Sequence, residues 1–196
     1  MDTASKTALP LFPLPDFFLF PGALAPLYIF EERYRQMVND QLDRAGRLVM
    51  ASISRRGRSA VPGAPPVFPV GGLGEIVHHE PLPEGKFLIW LLGLGRVRLE
   101  EVPSERLYRQ VRIELLEDQE CSEEEESRLR PLLLEALDRR RVTMSEEPDE
   151  LPVGTLADVL VQSLQVESSL IEQAFAETRA GERARMALRW LRSAED

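Results

Sequence analysis

Cysteine occurs once in the 196 residues, as Cys121, and histidine twice, as His78 and His79. One thiol cannot form an internal disulfide, and it excludes a multi-cysteine zinc site. Lysine is nearly as scarce, confined to Lys6 and Lys86. Neither lysine closes a Gly-x-x-x-x-Gly-Lys-Ser/Thr loop, so the backbone cradle that holds nucleotide phosphates is missing. The longest apolar segment, residues 17–30, is too short to span a bilayer and contains Pro21 and Pro26. The first eight residues are polar or small and hold no apolar stretch of the secretory kind. A cytoplasmic chain with no membrane contact and no bound cofactor is the expectation.

The scarce residues are also poorly placed for chemistry. His78 and His79 are neighbours in a strand-like stretch, where successive side chains point to opposite faces and cannot grip one ion. The expectation is no metal, with one histidine exposed and the other partly buried. Cys121 precedes a helix start whose dipole would lower a thiol pKa, but no histidine lies nearby in sequence to act as a base. The formal net charge is −9. An acidic surface repels phosphate backbones at long range and disfavours nucleic acid as a partner. Basic residues cluster at Arg55, Arg56 and Arg58, read as a loop, and at 139–141, read as a helix C-terminus, where cations complement the dipole.

What the chain does have is proline set among aromatics. In residues 9–22 (Leu-Pro-Leu-Phe-Pro-Leu-Pro-Asp-Phe-Phe-Leu-Phe-Pro-Gly), four prolines exclude a helix and favour extended backbone. The pattern predicts two short strands separated by kinks, then a turn at Pro21-Gly22. Alternation would put Phe18 and Phe20 on one side and Phe17 and Leu19 on the other. The aromatics Phe12, Phe17, Phe18, Phe20, Tyr28 and Phe30 suit a barrel core or a groove for apolar peptide.

The chain divides near residue 120. Residues 1–119 read as mostly strand: 48–54, 75–82 joined by a Pro83-Glu84-Gly85 hairpin to 87–92, and an alternating strand at 107–115. The apolar run 87–92 suggests a strand buried on both faces. One helix interrupts, with Tyr34, Met37, Val38 and Leu42 on one face and Gly46 placed to end it. Residues 55–66 read as a loop. Residues 120–196 read as four amphipathic helices forming a small bundle. Ser122 with Glu125 predicts a capping box. Thr155 with Asp158 and Ser169 with Glu172 suggest further caps, and Gly181 breaks the pattern before a last stripe at Ala184, Ala187, Leu188 and Leu191.

Several of these segments, in order, resemble the N-terminal, substrate-binding domain of the Lon ATP-dependent proteases. The carriers are Leu9-Pro-Leu-Phe-Pro-Leu, Phe20-Pro-Gly, Glu31-Glu-Arg-Tyr, Val70-Gly-Gly-Leu-Gly-Glu-Ile, Leu82-Pro-Glu-Gly, Gly93-Leu-Gly-Arg-Val-Arg-Leu, Leu156-Ala-Asp and Glu182-Arg-Ala. The resemblance implies an α+β fold: a PUA-like β pseudo-barrel followed by a helical bundle. It implies a free-standing copy without the ATPase or the serine–lysine protease module, hence a non-catalytic binding protein. Its implied partners are unfolded or degron-bearing proteins and peptides, a AAA+ protease, and a weak homodimer. The contact residues expected are Phe17, Phe18, Leu19, Arg55, Arg56 and Arg58. A second reading is an RNA-binding PUA-like module using Arg96, Arg98 and the Arg55 loop, which the acidic balance opposes.

Overall fold

Leu9–Leu14 forms the first strand, β1, and each of its prolines is paired on one side only: Pro10 lies outside its parallel register and Pro13 outside its antiparallel one. A computed structural model describes residues 8–54, 64–144 and 147–195. The described chain falls into two compact units, one running to Leu116 and the other from Glu117.

In the first unit β1 is followed by β2 (Leu24–Ile29), α1 (Glu32–Leu42), β3 (Arg47–Ser52), β4 (Val70–Leu82), β5 (Lys86–Val102) and β6 (Arg109–Leu116). The sheet order is β2-β5-β4-β3-β1-β6, and β6 also pairs with β5. That last pairing closes β5, β4, β3, β1 and β6 into a ring. The 17-residue β5 makes this possible. Its first half pairs with β2 and its second half with β6, while β4 lies along the other side of both. β2 is therefore a branch outside the ring.

β1 and β3 run parallel and are buried on both faces. Leu11, Val49 and Ala51 point into one core with Val97 and Val111. Phe12, Leu48 and Met50 point into another with Tyr34, Met37 and Val38 of α1 and with Ile89 and Leu91. Leu42 packs partly buried against the same core, as expected, and Gln41 beside it is buried as well. Gly46, at φ +68, donates its N–H to the Gln41 carbonyl at 3.2 Å and turns the chain out of the helix. The β4–β5 hairpin turns through Pro83–Gly85, with positive φ at Glu84 and Gly85.

Two expectations for this unit fail. Residues 17–20 are not a second strand, so alternation does not govern them: Leu19 and Phe20 are adjacent and both buried. The run 87–92 alternates between buried and half-buried positions instead of being covered on both faces. The Pro21-Gly22 turn does form, with the Ala23 N–H donating to the Phe20 carbonyl at 3.1 Å and Gly22 at φ +76.

The second unit holds α2 (Glu123–Arg139), α3 (Val153–Ser163), α4 (Ser168–Ala176) and α5 (Ala180–Glu195). α3 touches each of the other three. Its sequence is apolar nearly all round, as a central helix requires. The Ser122–Glu125 capping box is present in both directions. The other two caps are not: α3 starts after Pro152 and α4 after Glu167, each without a side-chain cap. Gly181 does not interrupt a helix but lies in the first turn of α5.

Candidate functional site

Two stretches of backbone decide which aromatics are available. Between Phe17 and Phe20 the chain crosses β4 and β5 at their glycines. A Cβ on Gly72 would run into the Leu19 carbonyl, and one on Gly93 into the Phe20 carbonyl. These bare backbones let residues 19 and 20 settle into the wall. Leu19 is 1% exposed and belongs to the core, which corrects its expected place in the contact set. Phe17 is half-buried against that same core, and Phe18 is half-buried with its ring stacked on Phe68, centroids 5.9 Å apart. Arg55, Arg56 and Arg58 lie outside the described residues.

β2 behaves oppositely. Its odd residues Ala25 and Ile29 are buried, and its even residues face outward. Leu24 is 56% exposed and Tyr28 54%, and Phe30 just beyond is 56% exposed. Register extends this face onto β5: Leu24 lies opposite Leu92, Pro26 opposite Trp90 and Tyr28 opposite Leu88. Residues directly opposite in an antiparallel pair share a face. β4 adds His78 opposite Trp90 and Glu80 opposite Leu88. The Tyr28 and Phe30 rings stack at 5.8 Å, and His78 meets the Trp90 ring edge-on at 4.8 Å. Two bulges add to the exposed apolar surface of these strands. The register skips Val77 on β4 and Leu94 on β5, and both side chains are exposed.

Two ion pairs and one histidine–carboxylate contact border this face. Lys86 pairs with Glu84 at 2.7 Å, Arg33 with Glu31 at 2.7 Å, and His78 approaches Glu80 at 3.6 Å. The Glu84 hydrogen bond and charge raise the Lys86 pKa, with Tyr28 adding to the effect, and Lys86 holds the Glu84 carboxyl below its ordinary value. Arg35 donates to the Glu84 carbonyl at 2.5 Å and ties the hairpin to α1.

Other candidates lose their chemistry in place. His78 and His79 are both exposed, and among the described residues no group of histidine, cysteine or acidic side chains is arranged to hold a metal. Burial, then the Glu125 and Glu126 carboxylates, push the Cys121 thiol upward, so the helix start does not activate it. Arg96, part of the RNA reading, is buried with its guanidinium over the Phe20 ring, and Arg98 faces Glu114 at 3.6 Å. Among the described residues no helix is long and apolar enough to cross a membrane.

The model of the ATP-dependent protease La (LON) substrate-binding domain matches residues 8–193. Lon protease 2 of Myxococcus xanthus is 28% identical over 156 residues, covering 80% of this chain and 18% of that protein. Lon protease of Koribacter versatilis is 26% identical over 193 residues, covering 90% of this chain and 23% of that protein. The chain thus spans about a fifth of the length of the curated relatives it matches. The N-terminal domain of Mycobacterium avium complex Lon protease superposes with a TM-score of 0.71 at 18% identity, covering 95% of this chain and 98% of that one. A Lon N-terminal domain protein from Xanthomonas campestris gives 0.69 at 22% identity, covering 94% and 98%. These structures have the same α+β fold, a β-sheet unit followed by helices. Nearly the whole described chain matches a non-catalytic substrate-recognition module, and it belongs to the LON substrate-binding domain family.

Proposed function

We propose that the outer face of β2, β5 and β4 is where this chain captures apolar segments of unfolded or degron-bearing proteins, for presentation to a AAA+ protease of the Lon type. The observation that carries this reading is the row Leu24, Tyr28 and Phe30, each more than half exposed and continuous with Trp90. Burying such side chains releases water and contributes about 1.5–3 kcal/mol for a fully buried large apolar residue. Large contiguous apolar patches on a protein surface mark interaction sites. A rim whose charges are mostly paired suits a segment chosen for its apolar character and not its charge. Phe17 and Phe18, half-buried, are secondary contact positions in this reading.

The test is fluorescence anisotropy with labelled, unfolded casein. The double variant Tyr28→Ser, Phe30→Ser is expected to bind about tenfold more weakly or worse, because both rings lose their contact with the client. Its urea midpoint stays near that of the parent, since neither ring is in the core. Unchanged casein affinity in a folded double variant would remove this face from the reading.

A further inference from the structure

We propose that the client is bound as an added β-strand on the open edge of β2: an extended, uncharged segment with apolar side chains at alternate positions. This rests on the reading that the outer face of β2, β5 and β4 captures clients.

β2 ends the sheet order and, among the described residues, pairs with β5 alone. The Gly93 N–H donates to the Ala23 carbonyl at 2.9 Å, so residue 23 turns its backbone polar groups toward β5. In an antiparallel ladder this direction alternates along the strand. Residues 25, 27 and 29 therefore face β5, and residues 24, 26 and 28 face the open edge. Pro26 falls on the open side, where its missing N–H removes no bond to β5. The edge thus presents N–H and C=O of Leu24, C=O of Pro26, and N–H and C=O of Tyr28.

Protein edges are ordinarily guarded by charge. Here the outward side chains of the edge strand are Leu24, Pro26 and Tyr28, and Pro26 is the guard. An incoming strand forms bonds on either side of Pro26 and meets no donor at the centre. Its side chains on the outer face extend the Leu24 and Tyr28 row. Its charge is set by the rim, where the Glu31–Arg33 and Glu84–Lys86 pairs cancel and only the Glu80 carboxylate, 3.6 Å from the His78 ring, adds charge, so little field is left for a charged segment to match. Size sets the occupant as well. With each large side chain about half exposed, the apolar face amounts to roughly 400 Å². A stable complex of two folded proteins buries about 800 Å² on each partner. A short segment held weakly fits this area, and a second folded copy does not.

The experiment is amide hydrogen exchange by NMR on the whole chain, with and without a capped heptapeptide of alternating valine and threonine. The Trp90 indole signal, assigned with a Trp190→Phe variant, reports contact with the face. Strand addition slows exchange of the Leu24 and Tyr28 amides about tenfold or more, because both become hydrogen-bonded. A shifted Trp90 signal with those amides exchanging at their free rates overturns strand addition and leaves face capture standing. No response from Trp90 or from either amide overturns strand addition, and the casein measurement on the double variant then decides the underlying reading independently.

Discussion

A methyl group at Gly93 would collide with the Phe20 carbonyl, whereas one at Gly95 would meet the Leu115 side chain at an ordinary 3.4 Å. Two glycines of one strand thus have different jobs. At Gly93 the neighbour is backbone, which cannot rotate away. Gly93→Ala is expected to lower stability by about 1–3 kcal/mol, the usual range for overpacking a filled site. Gly95→Ala is expected to shift it by less than about 0.5 kcal/mol. Urea unfolding of the pair checks this, and equal midpoints would show that the 17–20 segment is not seated on β5. The same contact explains why Leu19 was misplaced from sequence. Period-two reasoning presumes a hydrogen-bonded strand, and residues 17–20 are held by glycine gaps instead. Tyr28 and Phe30 were legible as aromatic candidates. Leu24, Leu88 and Trp90 were not, because which residues share a face depends on a register that no single strand encodes.

Among elements, the helices of the second unit were legible from their apolar stripes, but of their starts only that of α2 was. Ser-x-x-Glu before α2 is a true capping box, with Glu125 also joined to Arg185 of α5. The similar patterns at Thr155 and Ser169 fall inside α3 and α4, whose starts are set elsewhere, at Pro152 and Glu167. What positions α3 against α5 is the fully buried Arg183. It donates to Asp118 at 2.5 Å and to the Glu177 carbonyl at 2.8 Å, and its Nε lies 3.1 Å from Asp158. The sequence showed Leu156-Ala-Asp and Glu182-Arg-Ala as separate landmarks, and folding joins them in one ion pair. Arg183→Met leaves Asp158 buried without its cation and is expected to cost about 3–5 kcal/mol. The double variant Arg183→Met, Asp158→Leu removes both charges and is expected to regain part of that loss. Urea denaturation of the wild type, the single and the double variant reads the difference, and a double variant no more stable than the single one would contradict it.

At the scale of the molecule, the two units differ in the pH at which each loses support, and each carries one of the two tryptophans, Trp90 and Trp190. In the first unit, burial and a 2.8 Å hydrogen bond to Asp40 push the Tyr108 hydroxyl up to about 12 from 10.0. A pKa raised by folding means that the contribution is complete below about pH 10 and is lost as pH climbs toward 12. In the second unit, the hydrogen bond from Arg179 holds the Glu177 carboxyl at about 2, against 4.5 ordinarily. A lowered pKa means the reverse: the contribution is complete above about pH 4.5 and is lost as pH falls toward 2. Glu125, hydrogen-bonded to Arg185, shifts in the same direction. The exposed Glu84–Lys86 pair gives the first unit an acid response too, but one that moderate salt screens. In moderate salt, a Trp190→Phe chain read through Trp90 is therefore expected to lose stability mainly on the alkaline side, and Tyr108→Phe reduces that limb, leaving the share of Tyr34, whose hydroxyl is also pushed up by burial. A Trp90→Phe chain read through Trp190 is expected to lose it mainly on the acid side, with a smaller alkaline loss from the raised Cys121 thiol, and Glu177→Gln flattens the acid limb. Urea midpoints measured across pH 2–12 check both. Reporters that track each other on both limbs would mean that the two cores unfold as a single cooperative unit, and the separate pH signatures would then be wrong.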